Sequence, residues 1–139
     1  MYYIDTSVLA AYYCPEPLSE KVEEYMLGND QPVISNLVEV ELCSAISRKV
    51  REGGMKKNDA GQIIKEFLSH LDEGFYIKLP IESHHYRLAR EWIRQFNTAL
   101  RTLDALHLAA AFSKGLTMIT ADKSLLKPAE ILSLDVVVL

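Results

Sequence analysis

Apolar residues in this chain fall into short blocks, separated by longer stretches that repeat every three or four positions. Tyr2 to Ile4 is aromatic and β-branched and leads into Asp5-Thr6-Ser7, a helix-capping cluster, and then into apolar Val8 to Tyr13. That order predicts a buried first strand whose carboxyl end feeds a helix. Pro15 and Pro17 interrupt the chain, Leu18 to Leu27 has helical spacing, and Gly28-Asn29-Asp30 closes it. Pro32-Val33-Ile34 predicts a second strand, followed by a helix from Leu37 to about Arg51. Asn36 with Glu39 three residues on has the spacing of a capping box at that helix start. Gly53-Gly54 marks a turn, Asn58-Asp59 is expected to cap a helix through about Leu71, and Phe75 to Leu79 predicts a third strand. Two adjacent helices between strands two and three predict a projecting helical hairpin.

Glu82 to Phe96 is again helical in spacing, and Thr102 is expected to cap a helix from Leu103 to Ser113. The second of these is small and apolar on most faces, so it must be buried. Gly115 ends it, Leu116 to Thr120 predicts a strand, Ala121 to Leu126 a short helix before Pro128, and Val136 to Leu139 a last strand. Strands alternating with helices predict an α/β fold, a central parallel sheet of about five strands with helices on both faces. With 139 residues and no repeat, low-complexity tract or linker, the expectation is a single domain spanning 1–139.

Composition narrows the class. Cys14 and Cys43 are the only cysteines and suit neither a disulfide framework nor paired zinc spacing, so reduced thiols and a cytoplasmic setting are expected. No apolar run approaches membrane-spanning length. The net charge of −4, from 15 basic and 19 acidic residues, argues against gripping nucleic acid by bulk charge. If four carboxylates serve as metal ligands, however, the remaining charges balance, and any nucleic-acid affinity becomes local and metal-linked.

Four carboxylates stand out. Asp5 follows the first strand and Asp122 lies two residues past Thr120, and in open parallel sheets sites form at such carboxyl ends. Glu41 lies early in the helix after strand two, and Asp104 in the first turn of the apolar helix. Three have an ordinary reading: Asp122 and Asp5 as helix caps, although Thr6 and Ser7 also suit the second role, and Asp104 as a residue favoured by the helix dipole. Asp104 nonetheless precedes an almost wholly apolar helix, where a bare charge is expensive. The capping box accounts for Glu39 and leaves Glu41 unexplained. Carboxylates with no cysteine or histidine pair at zinc spacing are hard oxygen donors, which favour magnesium or manganese. Two such ions can hydrolyse a phosphodiester with little further help from side chains.

The stretches Tyr3-Ile4-Asp5-Thr6-Ser7-Val8-Leu9, Ser35 to Arg48 with Glu41-Leu42, Leu103-Asp104-Ala105-Leu106-His107-Leu108-Ala109 and Ile119-Thr120-Ala121-Asp122 together resemble the PIN-domain family, and most of all the VapC-type toxins of toxin–antitoxin pairs. The resemblance covers essentially the whole chain. It implies a metal-dependent endoribonuclease with one or two Mg2+ or Mn2+ ions, an RNA substrate, an antitoxin partner and a homodimer. Carried over residue by residue, it implies Asp5, Glu41, Asp104 and Asp122 as catalytic and metal-binding carboxylates, supported by Thr6 or Ser7 and by Thr120. The glycine often found between the last acidic motif and the final strand is missing, which puts the geometry of the tail in question.

Other groups are weaker candidates. The basic run Arg48, Lys49, Arg51, Lys56 and Lys57 near the hairpin tip suits a solvated face or an RNA backbone. Arg87, Arg90, Arg94 and Arg101 share that ambiguity. His107 reads as a core or supporting histidine. Adjacent His84 and His85 should diverge on a helix and act as surface or cap residues. Tyr2, Tyr3, Tyr12 and Tyr13 read as packing or interface residues. Two rival functions are a non-catalytic PIN-like binding module and an aspartate-based phosphatase. The phosphatase would need a second aspartate where Ser7 stands.

Overall fold

Tyr2, Tyr3 and Ile4 are all buried, and because successive strand side chains face opposite ways, this run has to be covered on both sides. The computed structural model, which covers residues 1–139, shows how. Five strands, β1 (Tyr2–Ile4), β2 (Pro32–Ser35), β3 (Ile77–Leu79), β4 (Met118–Thr120) and β5 (Val136–Val138), form one parallel sheet in the order β3-β2-β1-β4-β5. Helices α1 (Thr6–Tyr13), α2 (Ser19–Leu27), α3 (Asn36–Arg51), α4 (Lys57–Asp72), α5 (Ser83–Ile93), α6 (Thr102–Ser113) and α7 (Leu126–Leu132) connect them. Tyr2 and Ile4 join a core with Val8 and Leu9 of α1, Val22 of α2, Leu42 of α3 and Phe67 of α4. Tyr3 faces the other way, into a core with Trp92 of α5, half of α6 and Leu125. The sheet is thus a partition between two apolar layers, and β1 lies at its centre.

Several boundaries differ from expectation for identifiable reasons. Phe75 stays outside β3 because Gly74, at φ 74°, turns the chain and Phe75 stacks on Tyr12 and His70. α5 stops at Ile93, and Phe96 follows with a left-handed φ of 55°. Arg101, not Thr102, is the residue before α6, and Lys56 precedes α4 without side-chain capping. Asn36 and Glu39 form no capping box. Asn36 Oδ1 accepts from the Ile81 amide at 2.9 Å, and Glu39 pairs with Lys78 at 2.8 Å, so both tie α3 to the β3 side of the sheet. After β4 the chain makes one 3₁₀ turn, Lys123–Leu125, and α7 then runs through Pro128 instead of stopping before it. Pro128 is the third residue of α7, where a helix leaves the backbone N–H unbonded in any case. His84 and His85 do not diverge: their rings lie 3.9 Å apart, and buried His85 closes a capping box with Glu82.

Candidate active site

Asp5 follows β1 and Thr120 ends β4, and the pairing of these strands brings their side chains together although 115 positions separate them. Thr120 Oγ1 donates to Asp5 Oδ2 at 2.5 Å, and Ser7 Oγ donates to Asp5 Oδ1 at 2.5 Å. Each hydroxyl also accepts a backbone N–H from the following turn, Ser7 from Ala121 at 2.9 Å and Thr120 from Asp122 at 3.0 Å. Asp5 itself caps α1, accepting from the Val8 amide at 3.2 Å, a role for which Thr6 and Ser7 had seemed equally suited. It is 6% exposed, and burial raises its pKa despite the hydroxyls, the Val8 amide and His107, which oppose the rise.

Glu41 projects from α3 toward the same edge. Thr6 Oγ1 donates to Glu41 Oε1 at 3.0 Å, and His107 Nε2 lies 2.5 Å from the same oxygen. Thr6 and Ser7 therefore serve different carboxylates. Behind His107, its Nδ1 lies 2.6 Å from the Tyr3 hydroxyl, which lies 2.8 Å from Ser35 Oγ. One assignment of protons satisfies every atom: Ser35 donates to Tyr3, Tyr3 to Nδ1, and Nε2–H to Glu41. Burial alone would raise the Glu41 pKa, but interaction with His107 and the Thr6 hydrogen bond outweigh it, and the carboxyl is lowered.

Arg101 connects the remaining pair. Its guanidinium lies 3.2 Å from Asp104 and 3.8 Å from Asp122. Asp122 also caps the 3₁₀ turn, accepting from the Ser124 amide at 2.9 Å. That hydrogen bonding, with Arg101 beside it, lowers the Asp122 pKa against a smaller effect of burial. All four carboxylates thus lie at the carboxyl end of the sheet; Thr120 links Asp5 to Asp122 and Arg101 links Asp122 to Asp104, whereas Glu41 has partners of its own. As placed they form no set of three acidic or histidine groups that could hold one ion. Between Asp104 and Asp122 a guanidinium supplies the positive charge. An all-oxygen set with a cation already drawn between two of its members suits a hard divalent ion, which would take over that role from Arg101.

Three of the basic candidates, Arg48, Lys49 and Arg51, line an open trough with Thr6, Glu41 and Leu103. Lys56 belongs to a separate hollow with Gly53 and Asp59, so the basic run is divided. Sequence reasoning did not reach Tyr3 or Ser35 as site residues, and it placed Arg101 only among basic residues suited to a solvated face or an RNA backbone, not beside the carboxylates. For Arg101 a signal was available, its position three residues before Asp104 at a helix start. Tyr3 carried none, since an aromatic in a buried strand reads as packing.

A family model for the PIN domain matches residues 2–131. The chain belongs to the PIN-domain family. Among curated relatives of this PIN domain, Ribonuclease VapC3 of Pyrobaculum aerophilum is 23% identical over 122 residues, covering 88% of this chain and 89% of that protein. Among solved structures, VapBC2 from Rickettsia felis, bound to a DNA fragment from the promoter, superposes with a TM-score of 0.71 at 17% identity, covering 99% of this chain and 98% of that one. Mycobacterium tuberculosis VapC20, described as a Sarcin-Ricin loop cleaving toxin, gives a TM-score of 0.69 at 16% identity, covering 88% of this chain and 91% of that one. The likeness in fold thus extends over nearly the whole chain, and the altered tail still places β5 beside β4 in parallel.

Proposed function

We propose that this PIN domain is a divalent-metal-dependent endoribonuclease and the toxin member of a toxin–antitoxin pair. The observation that carries the reading is the convergence of Asp5, Glu41, Asp104 and Asp122 on the carboxyl edge of the sheet, each held by a named partner. The likeness to Ribonuclease VapC3 and to VapBC2 supports the choice of RNA and of an antitoxin. These four carboxylates would hold Mg2+ or Mn2+, which when bound supplies Lewis acidity and activates water toward the phosphodiester.

The chain's own side chains prepare that step. Ser7 and Thr120 fix both oxygens of Asp5, so its orientation costs nothing further when substrate arrives. His107 holds Glu41 from the side away from solvent, with Tyr3 and Ser35 behind it. Arg48, Lys49 and Arg51 line the trough beside Glu41 and offer positive charge to an RNA backbone, whereas Lys56 and Lys57 near the hairpin tip fit only a longer strand. Arg101 has an exposed side chain and is free to leave Asp104 and Asp122 for a phosphate.

The test is incubation of purified protein with RNA in magnesium, manganese or chelator, followed by analysis of the fragment ends. Water as nucleophile predicts 5′-phosphate and 3′-hydroxyl ends and no cleavage in chelator. Ends carrying 2′,3′-cyclic phosphate, or cleavage in chelator, would overturn it. A small phosphate ester as substrate separates the phosphatase, and RNA retention without cleavage identifies a binding module. Sedimentation of the protein alone and with the product of the adjacent gene tests the homodimer and the antitoxin complex.

A further inference from the structure

Phe96 combines two unfavourable features. Its ring is 92% exposed, and its backbone φ is 55°, a left-handed conformation that glycine or asparagine usually supplies at a helix end. The position closes α5, since the Phe96 amide donates to the Ile93 carbonyl at 3.2 Å. Glycine would end the helix with less strain, and a polar residue would suit the exposure. Neither folding nor packing accounts for phenylalanine.

The surroundings point to a ligand. Phe96 borders a cleft with Asn97, Thr98, Ser124, Lys127 and Ile131. Ser124 donates its amide to Asp122, and Arg101, five residues after Phe96, reaches Asp104 and Asp122. The segment from Phe96 to Arg101 therefore runs from the cleft to the catalytic carboxylates. An exposed ring sharing its cleft with Lys127, with the amide and hydroxyl groups of Asn97, Thr98 and Ser124 beside it and Arg101 further along the same segment, is the chemistry of single-stranded nucleic-acid binding, where bases stack on aromatics and cations follow the backbone. Protein–protein contacts are instead depleted of lysine and serine, both of which line this cleft.

We infer that Phe96 is a stacking platform for one base of a single-stranded RNA whose backbone passes Lys127 and Arg101 into the carboxylate site. This rests on the nuclease reading and adds to it a substrate-positioning residue and the strand's direction of approach. The ring holds a base without touching the reacting atoms, so its loss should act on binding more than on the chemical step.

The test measures cleavage of mixed-sequence single-stranded RNA oligonucleotides in manganese by the wild type, Phe96→Ala, Phe96→Leu and Phe96→Trp, with sedimentation of each. Alanine and leucine should raise KM about tenfold, within the range for loss of one base–aromatic stack, and leave kcat nearly unchanged. Tryptophan should restore KM, and no variant should change mass. Phe96→Gly guards against misfolding, because it relieves the left-handed strain and should melt above the wild type while showing the same raised KM. Wild-type KM in the alanine and leucine variants would overturn the platform and leave the nuclease intact. A halved mass for alanine and glycine but not leucine would make the face a contact between copies of the chain and overturn the platform. No RNA cleavage by the wild type in any metal would refute the nuclease reading, and the platform with it.

Discussion

Tyr2 and Tyr3 are neighbours on β1, and removing the hydroxyl from each should change stability in opposite directions. Strand alternation sends the Tyr3 hydroxyl between Ser35 and His107, at 2.8 and 2.6 Å. The Tyr2 hydroxyl points into the other core, where it is buried with no hydrogen-bond partner, and burial, with Tyr25 and Asp30 nearby, pushes its pKa up to about 12. Phe at position 3 leaves two buried polar atoms without their partner, at roughly 1–3 kcal/mol for such a loss. At about 4 °C per kcal/mol for a domain of this size, a cost near 2 kcal/mol lowers the melting temperature by about 8 °C. Phe at position 2 removes an unpaired polar group while retaining the ring against Tyr25, so stability should stay level or rise by up to about 1 kcal/mol. Urea and thermal melts in chelator, in one buffer, measure both. RNA cleavage at a temperature where all three proteins are folded supplies a second readout, since only Tyr3→Phe releases His107 and hence Glu41. If both variants lose stability equally, or if Tyr2→Phe loses more than Tyr3→Phe, the hydrogen-bond assignment in this core is wrong.

Other outcomes follow from the site and from α5. His107→Gln should lower cleavage by about 10- to 100-fold, as expected for a residue orienting a ligand, and Asp104→Asn should lower it further; the reverse ranking in matched assays would move His107 into direct contact with substrate. Manganese should raise the melting temperature of the wild type more than that of Asp5→Asn, because a ligand that binds only the folded state stabilises it by mass action; equal gains would make Asp5 a cap alone. His85 accepts from the Glu82 amide through Nδ1 and lies 2.9 Å from Ser113 through Nε2, and burial, then His84 beside it, lowers its pKa, with Glu82 opposing and Lys114 assisting. Its unfolded form therefore takes up a proton first as pH falls, so the stability present above about pH 6.5 is lost as pH drops toward the folded value. Urea midpoints measured from neutral pH downward should fall in the wild type and flatten in His85→Gln, and parallel curves would refute the assignment.

Much of the fold is legible because apolar runs as short as Tyr2–Ile4 and Met118–Thr120 admit little besides buried parallel strands between helices. The four carboxylates drew attention in the sequence because Asp5 and Asp122 follow strands and Glu41 and Asp104 lie in the early parts of helices. What local sequence did not carry was pairing across the chain. Asn36 and Glu39 have the spacing of a capping box, yet long-range partners, Ile81 and Lys78, claim both side chains. The Ser35–Tyr3–His107–Glu41 chain joins four elements and leaves no periodic trace. Phe96 counted only as the end of a helical stretch, because left-handed geometry is invisible when the residue adopting it is not glycine.

The pairing of β1 with β4 also bears on when the protein becomes active during its own synthesis. Ribosomes add residues one at a time, at roughly 5–20 per second in bacteria, and Asp5 is made 115 positions before its partner Thr120. Throughout that interval Asp5 lacks one of its two hydroxyl donors, and Asp104 and Asp122 do not yet exist for most of it. A nascent chain therefore lacks the complete carboxylate set and the hydroxyl that fixes Asp5. On the proposed nuclease reading, hydrolysis has to wait until β4 has been released and slotted in beside β1.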